Sequence, residues 1–372
     1  RDGIVSFSLY GDWASPIEHC CHNGIYSPIS NITPGNFVSS GYYYYNLGLM
    51  ERFATLLGRR EDAAAFAARR KSVAAAINRV FRDEETGDYA GGSQGSNVFA
   101  LYLGLVPAQD TARVAARVDE DVRRRGYHLT TGNLMTKYLL EVLTAYGYLE
   151  TAYRLVVQTT YPSWGYMLSK DATTIWERWN SIRPDGSFNP ANMNSLNHYA
   201  YGSIGNWLYT KLCGLEILEP GYKKFALRPQ FIKGITHAEL TYESVYGKIA
   251  IAWRCEGGKI TVDATIPANT TAELTLPEQT EMLTLGSGSY RYEYATETSL
   301  EIDRYSLETP LHITLEHPVA QAIFRQYAPE FLENPMLEYV KDEPITALLA
   351  YGESMRPLFE QVLTAMNQAD KR

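Results

Sequence analysis

Residues 36–80 read NFVSSGYYYYNLGLMERFATLLGRREDAAAFAARRKSVAAAINRV, and this stretch decides the fold class. Tyr42, Tyr45, Leu49, Phe53 and Leu56 recur at helical spacing, and Gly58 ends the run. From Glu61 to Val80 the chain is alanine-rich, with Phe66, Val73, Ile77 and Val80 along one stripe. Two apolar stripes joined at a glycine predict an αα-hairpin. Outward from it, helices fit 93–103, 111–125, 133–146, 149–159 and 196–212, with glycine breaks at Gly104, Gly126, Gly147 and Gly214. Residues 1–35 carry Gly11, Pro16, Gly24, Pro28, Pro34 and Gly35 and read as a long loop. A second long loop, 160–195, holds Trp164, Trp176 and Trp179, a content that argues for function over disorder.

After Pro220 the period becomes two. Residues 248–253 and 259–266 flank Gly257-Gly258 as a hairpin, with Ile260, Val262, Ala264 and Ile266 on one face. Segments 272–276, 290–294 and 311–315 also read as strands, which together predict an antiparallel β-sandwich. From Pro318 the pattern is helical again, over 319–327, 345–351 and 356–367. The expected division is therefore 1–217 helical, 218–318 sandwich and 319–372 helical tail.

Composition narrows the function classes. The chain has 372 residues, 45% hydrophobic and 20% charged, with a net charge of -8. That is ordinary globular composition, and the acidic balance speaks against a nucleic-acid partner. No apolar run approaches the ~18–20 residues that span a bilayer, so no membrane partner is expected. Of 28 tyrosines, 18 precede Pro220, as do five of the six tryptophans. These side chains offer a flat apolar face and a polar edge, which suits sugar rings as well as packing. The four cysteines hold no CxxC pair, and their sparseness favours a reducing compartment, the cytoplasm. His19-Cys20-Cys21-His22 is too tightly spaced for a zinc site and reads as a loop, so no metal is expected. The sequons at Asn31 and Asn269 are short enough to arise by chance. There is no Walker loop, dinucleotide fingerprint, G-x-S-x-G elbow or H-E-x-x-H.

Three clusters carry chemistry. In Thr174-Ile175-Trp176-Glu177-Arg178-Trp179, Glu177 fits two readings. It is either a sugar-site carboxylate acting on a water, or half of a surface pair with Arg178 while the tryptophans anchor the core. His198, in Asn194-Ser195-Leu196-Asn197-His198-Tyr199, reads by itself as a satisfied structural histidine. Asp12, in Tyr10-Gly11-Asp12-Trp13, reads as an Asx-turn residue.

Taken together, these blocks resemble a family. Pro162-Ser163-Trp164-Gly165-Tyr166, then residues 172–179, then 193–202, resemble the signature of bacterial α-L-rhamnosidases of glycoside hydrolase family 78. The resemblance extends to Gly11-Asp12-Trp13, the hairpin from Asn36, Gly91-Gly92-Ser93-Gln94, Leu129-Thr130-Thr131-Gly132-Asn133, and on through Pro229, roughly residues 5–320. It implies an (α/α)6 toroid, present here in part, followed by a β-sandwich. It implies hydrolysis of terminal α-L-rhamnosides with inversion, on an L-rhamnose-containing oligosaccharide or glycoside, with no cofactor. Glu177 then matches the family's general base, and His198 its histidine on the sugar hydroxyls. Trp13 and Asp12 fall in the sugar subsite, and Trp176 and Trp179 would help wall the pocket.

One block of the family's pattern has no counterpart. The acidic segment that carries the general acid lies well upstream of Gly-Asp-Trp, and nothing like it occurs here. The acid is therefore expected outside these residues, with an N-terminal segment or partner chain completing the toroid and covering its apolar seam. Glu18, Asp171 and Asp185 are the loop carboxylates available as substitutes, and each reads first as a solvated charge. A reading of a different class is a non-catalytic carbohydrate-binding or structural protein derived from a truncated glycosidase.

Overall fold

The computed structural model describes residues 3–8, 10–16, 19–20, 26–27, 30, 32–191, 193–303, 305–350 and 352–370. Glu18, Asn31 and most of the His19–His22 run fall outside them, apart from the backbone of a two-residue ladder, β1 (His19–Cys20) with β2 (Tyr26–Ser27). The chain divides into two compact units, Arg1–Thr298 and Ser299–Arg372.

The first unit opens with the expected hairpin, α1 (Gly35–Leu56) and α2 (Arg60–Phe81). Gly58 adopts φ +69°, and the Arg59 N–H closes the turn on Ala54 O at 2.8 Å. Phe37 and Leu47 of α1 and Val73 and Ile77 of α2 enter the core, whereas Val80 is half exposed. Then follow α3 (Gln94–Tyr102), α4 (Thr111–Arg124), α5 (Thr136–Ala145), α6 (Leu149–Val156) and α7 (Trp164–Leu168). Ser93 caps α3, its Oγ accepting from Ser96 N at 3.1 Å, so a frayed donor is satisfied where the helix is fully buried.

The expected helix over 196–212 is shorter and broken. Residues 196–199 are loop, followed by a 3₁₀ turn (Ala200–Ser203), α8 (Ile204–Trp207) and a π turn (Leu208–Leu212). Gly202 and Gly205 lower the helix propensity there. The Leu196–His198 stretch instead bonds laterally, the His198 N–H donating to Ile175 O at 2.8 Å.

The β domain has two four-stranded sheets among the described residues. One is ordered β10 (Gly288–Ala295), β7 (Lys259–Ile266), β6 (Gly247–Glu256), β5 (His237–Ser244). The other is β3 (Leu215–Ile217), β4 (Lys224–Leu227), β8 (Thr271–Thr275), β9 (Met282–Leu285). The alternation on β7 is real: Ile260, Val262, Ala264 and Ile266 are all buried and face Ile251, Trp253 and Cys255 across the β6 register. Every pair is antiparallel except β4 with β8. A parallel pair needs a long crossover, and here β5, β6 and β7 supply it before the chain returns.

The second unit is helical, with α9 (Leu311–Glu316), α10 (Pro318–Tyr327), α11 (Pro329–Leu332), α12 (Leu337–Val340), α13 (Ile345–Leu349) and α14 (Arg356–Asp370). Its core gathers Leu311, Phe324, Ile345, Phe359 and Met366. The strand expected over 311–315 is α9. Leu311 and Thr314 are its buried pair, three residues apart, while Ile313 is 38% exposed, so the apparent alternation had no sheet face behind it.

Candidate functional site

Three segments distant in sequence meet in the helical domain: 10–16, 129–135 and 174–203. Asp12 is the pin between the first two. It is fully buried, and its carboxylate accepts from the N–H groups of Gly132 at 2.7 Å and of Leu134 and Met135 at 3.1 Å each. These donors lead into α5, whose first N–H groups have no partner within the helix. Burial pushes the Asp12 carboxyl up to about 7, while the three N–H bonds pull the other way. The Asn133 N–H returns to Trp13 O at 2.7 Å. Gly132 is required there: a Cβ would lie 2.1 Å from Trp13 O and 2.8 Å from Ser15 N.

Glu177 joins the first and third segments. Its Oε1 accepts from the Trp13 indole N–H at 3.0 Å, and its Oε2 from Ser195 N at 3.0 Å. The Glu177 N–H in turn donates to Ser195 O at 2.8 Å, so residues 175–177 and 195–198 lie paired side by side. The carboxylate is thus aimed by an indole and a backbone amide and is only 3% exposed. Neither Glu177 nor Arg178 is a surface group. Arg178 is 2% exposed and donates through Nε to Met193 O at 2.6 Å.

Beside this network lies an open cavity of about 750 Å³. Its walls include Trp13, His198, Tyr10, Tyr42, Tyr199 and Asn133, and among the described residues no carboxylate lines it. Tyr10 meets Trp13 edge to face at 5.5 Å, and Tyr199 stacks on His198 at 5.2 Å. His198 Nδ1 accepts from Ala200 N at 3.4 Å, which leaves the ring proton on Nε2 as a donor. An apolar, aromatic concavity with a few polar groups is the usual form of a small-ligand site.

The six residues singled out from sequence divide by position. Trp13 and His198 line the cavity, whereas Glu177 lies just behind the lining and reaches it through the Trp13 indole. Asp12 spends its carboxylate on the 132–135 backbone. Trp176 and Trp179, expected at the pocket wall, are 2% and 1% exposed and belong to the core, not to the cavity lining. Trp179 stacks on Tyr201 at 3.9 Å and donates to Thr131 O at 3.0 Å. Tyr201 in turn donates to Ala14 O at 2.8 Å. Asp171 and Asp185 are exposed and do not line the cavity, Asp185 accepting from Ser187 N at 2.9 Å. Asn133, Lys137 and Ser203 line the cavity without having been singled out, because nothing in their local pattern separates them from ordinary turn and helix residues. Among the described residues no group of three or more His, Cys, Asp or Glu side chains is placed to hold a metal ion. Among the described residues no helix is long and apolar enough to cross a membrane.

Helical hairpins around an aromatic cavity with an aimed carboxylate, followed by two facing sheets, define a glycosidase-like architecture. Residues 3–212 match the bacterial α-L-rhamnosidase six-hairpin glycosidase domain, and residues 214–291 the bacterial α-L-rhamnosidase C-terminal domain. The chain belongs to the bacterial α-L-rhamnosidase family, glycoside hydrolase family 78. It is 36% identical to an α-L-rhamnosidase of Streptomyces avermitilis over 268 residues, covering 72% of this chain and 24% of that protein. It is 34% identical to one of Formosa agariphila over 278 residues, covering 74% and 29%. Among solved structures it is similar to the Streptomyces avermitilis enzyme complexed with L-rhamnose, with TM-score 0.70, 31% identity, and coverage of 79% of this chain and 29% of that one. The native enzyme from Aspergillus terreus gives TM-score 0.71, 29% identity, and coverage of 77% and 33%. The chain thus spans 24% to 30% of the length of the curated relatives it matches.

Proposed function

We propose that this chain supplies the general-base half of an α-L-rhamnosidase site that hydrolyses terminal α-L-rhamnosides with inversion. The observation that carries the reading is Glu177 held at 3.0 Å by both the Trp13 indole and Ser195 N, beside an aromatic cavity that His198 also lines. A carboxylate has about four acceptor sites, so two remain for a water. Glu177 takes a proton from that water as its oxygen attacks the anomeric carbon. The glycosidic C–O bond breaks on the opposite face, and the leaving oxygen takes a proton from a second carboxylic acid. In inverting enzymes that acid sits ~6.5–9.5 Å from the base. The acid comes from outside these residues, a reading supported by a cavity lining without a carboxylate among the described residues. His198 Nε2 donates to sugar hydroxyls and Trp13 packs on the ring. Asp12, Trp176 and Trp179 serve the site from behind, by holding the backbone that presents it.

The test is hydrolysis of an aryl α-L-rhamnoside. The isolated chain gives negligible turnover, and robust turnover would refute the division of acid and base. In a longer polypeptide that includes the acid, Glu177→Gln lowers kcat by about 10²–10⁴-fold. Near-normal activity of that variant would reject Glu177 as base. The same acid-free lining favours one second reading, a rhamnose-binding module without turnover. Rhamnose binding with no hydrolysis in the longer polypeptide would select it.

A further inference from the structure

Asn133 is 7% exposed, and neither its Oδ1 nor its Nδ2 meets a hydrogen-bond partner, although the residue lines the cavity. Its backbone is fixed, because its N–H donates at 2.7 Å to the carbonyl of Trp13, the residue whose indole aims Glu177. On the same wall Ser203 Oγ is also buried without a partner. Buried polar groups in folded proteins are overwhelmingly hydrogen-bonded, and leaving a donor or acceptor unmet is costly. Here a donor, an acceptor and a hydroxyl go unmet together at the edge of one cavity, next to the network around Glu177. Elsewhere in this domain comparable amides are used: Gln94 reaches Asp121 Oδ2 at 2.9 Å, and Asn97 reaches Asp88 Oδ1 at 3.0 Å.

We infer that Asn133, with Ser203, is a sugar-hydroxyl ligand of this cavity. The inference rests on the glycoside reading above and names which residues complete it. A primary amide accepts through oxygen and donates through nitrogen at once, the pairing that two adjacent ring hydroxyls offer in return. Ser203 adds one rotatable O–H for a third hydroxyl. The ligand class is therefore a pyranose with a vicinal diol, and its binding satisfies groups the free protein leaves unmet.

The test titrates the 372-residue chain with L-rhamnose, D-mannose, D-glucose and D-galacturonate, following tryptophan fluorescence and calorimetry. Asn133→Leu, near-isosteric and apolar, is compared with Ser203→Ala. The expected result is about 10–100-fold weaker L-rhamnose binding for Asn133→Leu and a smaller loss for Ser203→Ala. Because the amide is unmet in the free protein, Asn133→Leu holds or raises the thermal midpoint. A midpoint lowered by more than about 3 °C marks a structural amide and overturns the inference. Monodeoxy L-rhamnosides extend the test: the hydroxyl that Asn133 binds loses affinity in the wild type and nothing further in the variant. Equal L-rhamnose affinity in wild type and both variants refutes the inference and leaves the rhamnoside reading standing. Binding of a different panel sugar, lost in Asn133→Leu, refutes L-rhamnose and upholds Asn133 as a sugar ligand. Binding of no sugar by the wild type refutes both.

Discussion

Asp12→Ala is the sharpest probe of how the site is built. The substitution removes both acceptor oxygens and leaves the N–H groups of Gly132, Leu134 and Met135 buried without partners. At ~1–3 kcal/mol for each orphaned buried donor, with some recovered by water entering the space, the cost is on the order of 3–6 kcal/mol. The cost depends on pH in a defined direction. The folded-state value of about 7 lies above the ordinary 3.8, so the native state holds this proton more tightly than the unfolded chain does. Between those values the native state binds more protons, and stability falls as pH rises toward and through 7. The alanine variant lacks this group, so the gap between wild type and variant is wider at pH 5 than at pH 8. Urea denaturation at both values measures it, and amide exchange at Gly132, Leu134 and Met135 localises it. A loss below about 1 kcal/mol, or an equal loss at both pH values, would show that Asp12 is not the pin described here.

Three further outcomes are expected. Gly132→Ala drives a Cβ to 2.1 Å from Trp13 O, backbone against side chain with nothing free to yield, so it destabilises by about 3 kcal/mol or more in a thermal melt; an unchanged midpoint would contradict the close approach. Trp13→Phe keeps an aromatic wall and removes the donor at 3.0 Å to Glu177, so in an active polypeptide kcat drops about 10–100-fold; a change confined to KM would mean the indole only packs on the sugar. Cys213 is 6% exposed and burial pushes its thiol up to about 11, so a thiol reagent at pH 8 labels it only as fast as the domain opens. Rapid labelling of Cys213 in the native chain would refute its burial.

What could be read in advance follows from the range of the forces involved. The α1–α2 hairpin was legible because each helix carries its own apolar stripe and Gly58 its own stop signal. β7 was legible because one face is dry. β5 was not, since its inward positions Ala238, Leu240, Tyr242 and Ser244 alternate with exposed ones but only Leu240 is fully buried, so no apolar stripe marks the face. The parallel pairing of β4 with β8 leaves no local trace, because nothing within β4 shows which strand returns beside it. At the site, residue types left Glu177 between two readings and made His198 a structural histidine; the family resemblance is what pointed to Glu177, Trp13 and His198, whereas the bonds joining them connect residues too far apart in sequence for any spacing rule. The burial of Trp176 and Trp179 shows the limit from the other side: an indole next to a candidate base is equally at home in the core that holds the base still. Asn133 lay within the 129–133 block of the resemblance but was not marked as a ligand, because a lack of partners is a property of the folded state alone.

The sequence separations at the site have a temporal consequence. Trp13 bonds to Glu177 across 164 residues, Asp12 to Gly132 across 120, and Ala14 to Tyr201 across 187. Residues 10–16 are made before their partners, which emerge from the ribosome only after most of the described helices have been synthesised. Closing such long loops costs entropy before any contact repays it, and folds that depend on distant contacts form slowly. The α1–α2 hairpin can form while translation proceeds, but residues 10–16 must wait, and they dock once residue 201 is free. Glu177 is therefore aimed only when residues 10–16 arrive, so a nascent chain stalled before Tyr201 would hold its helices without the Trp13–Glu177 bond.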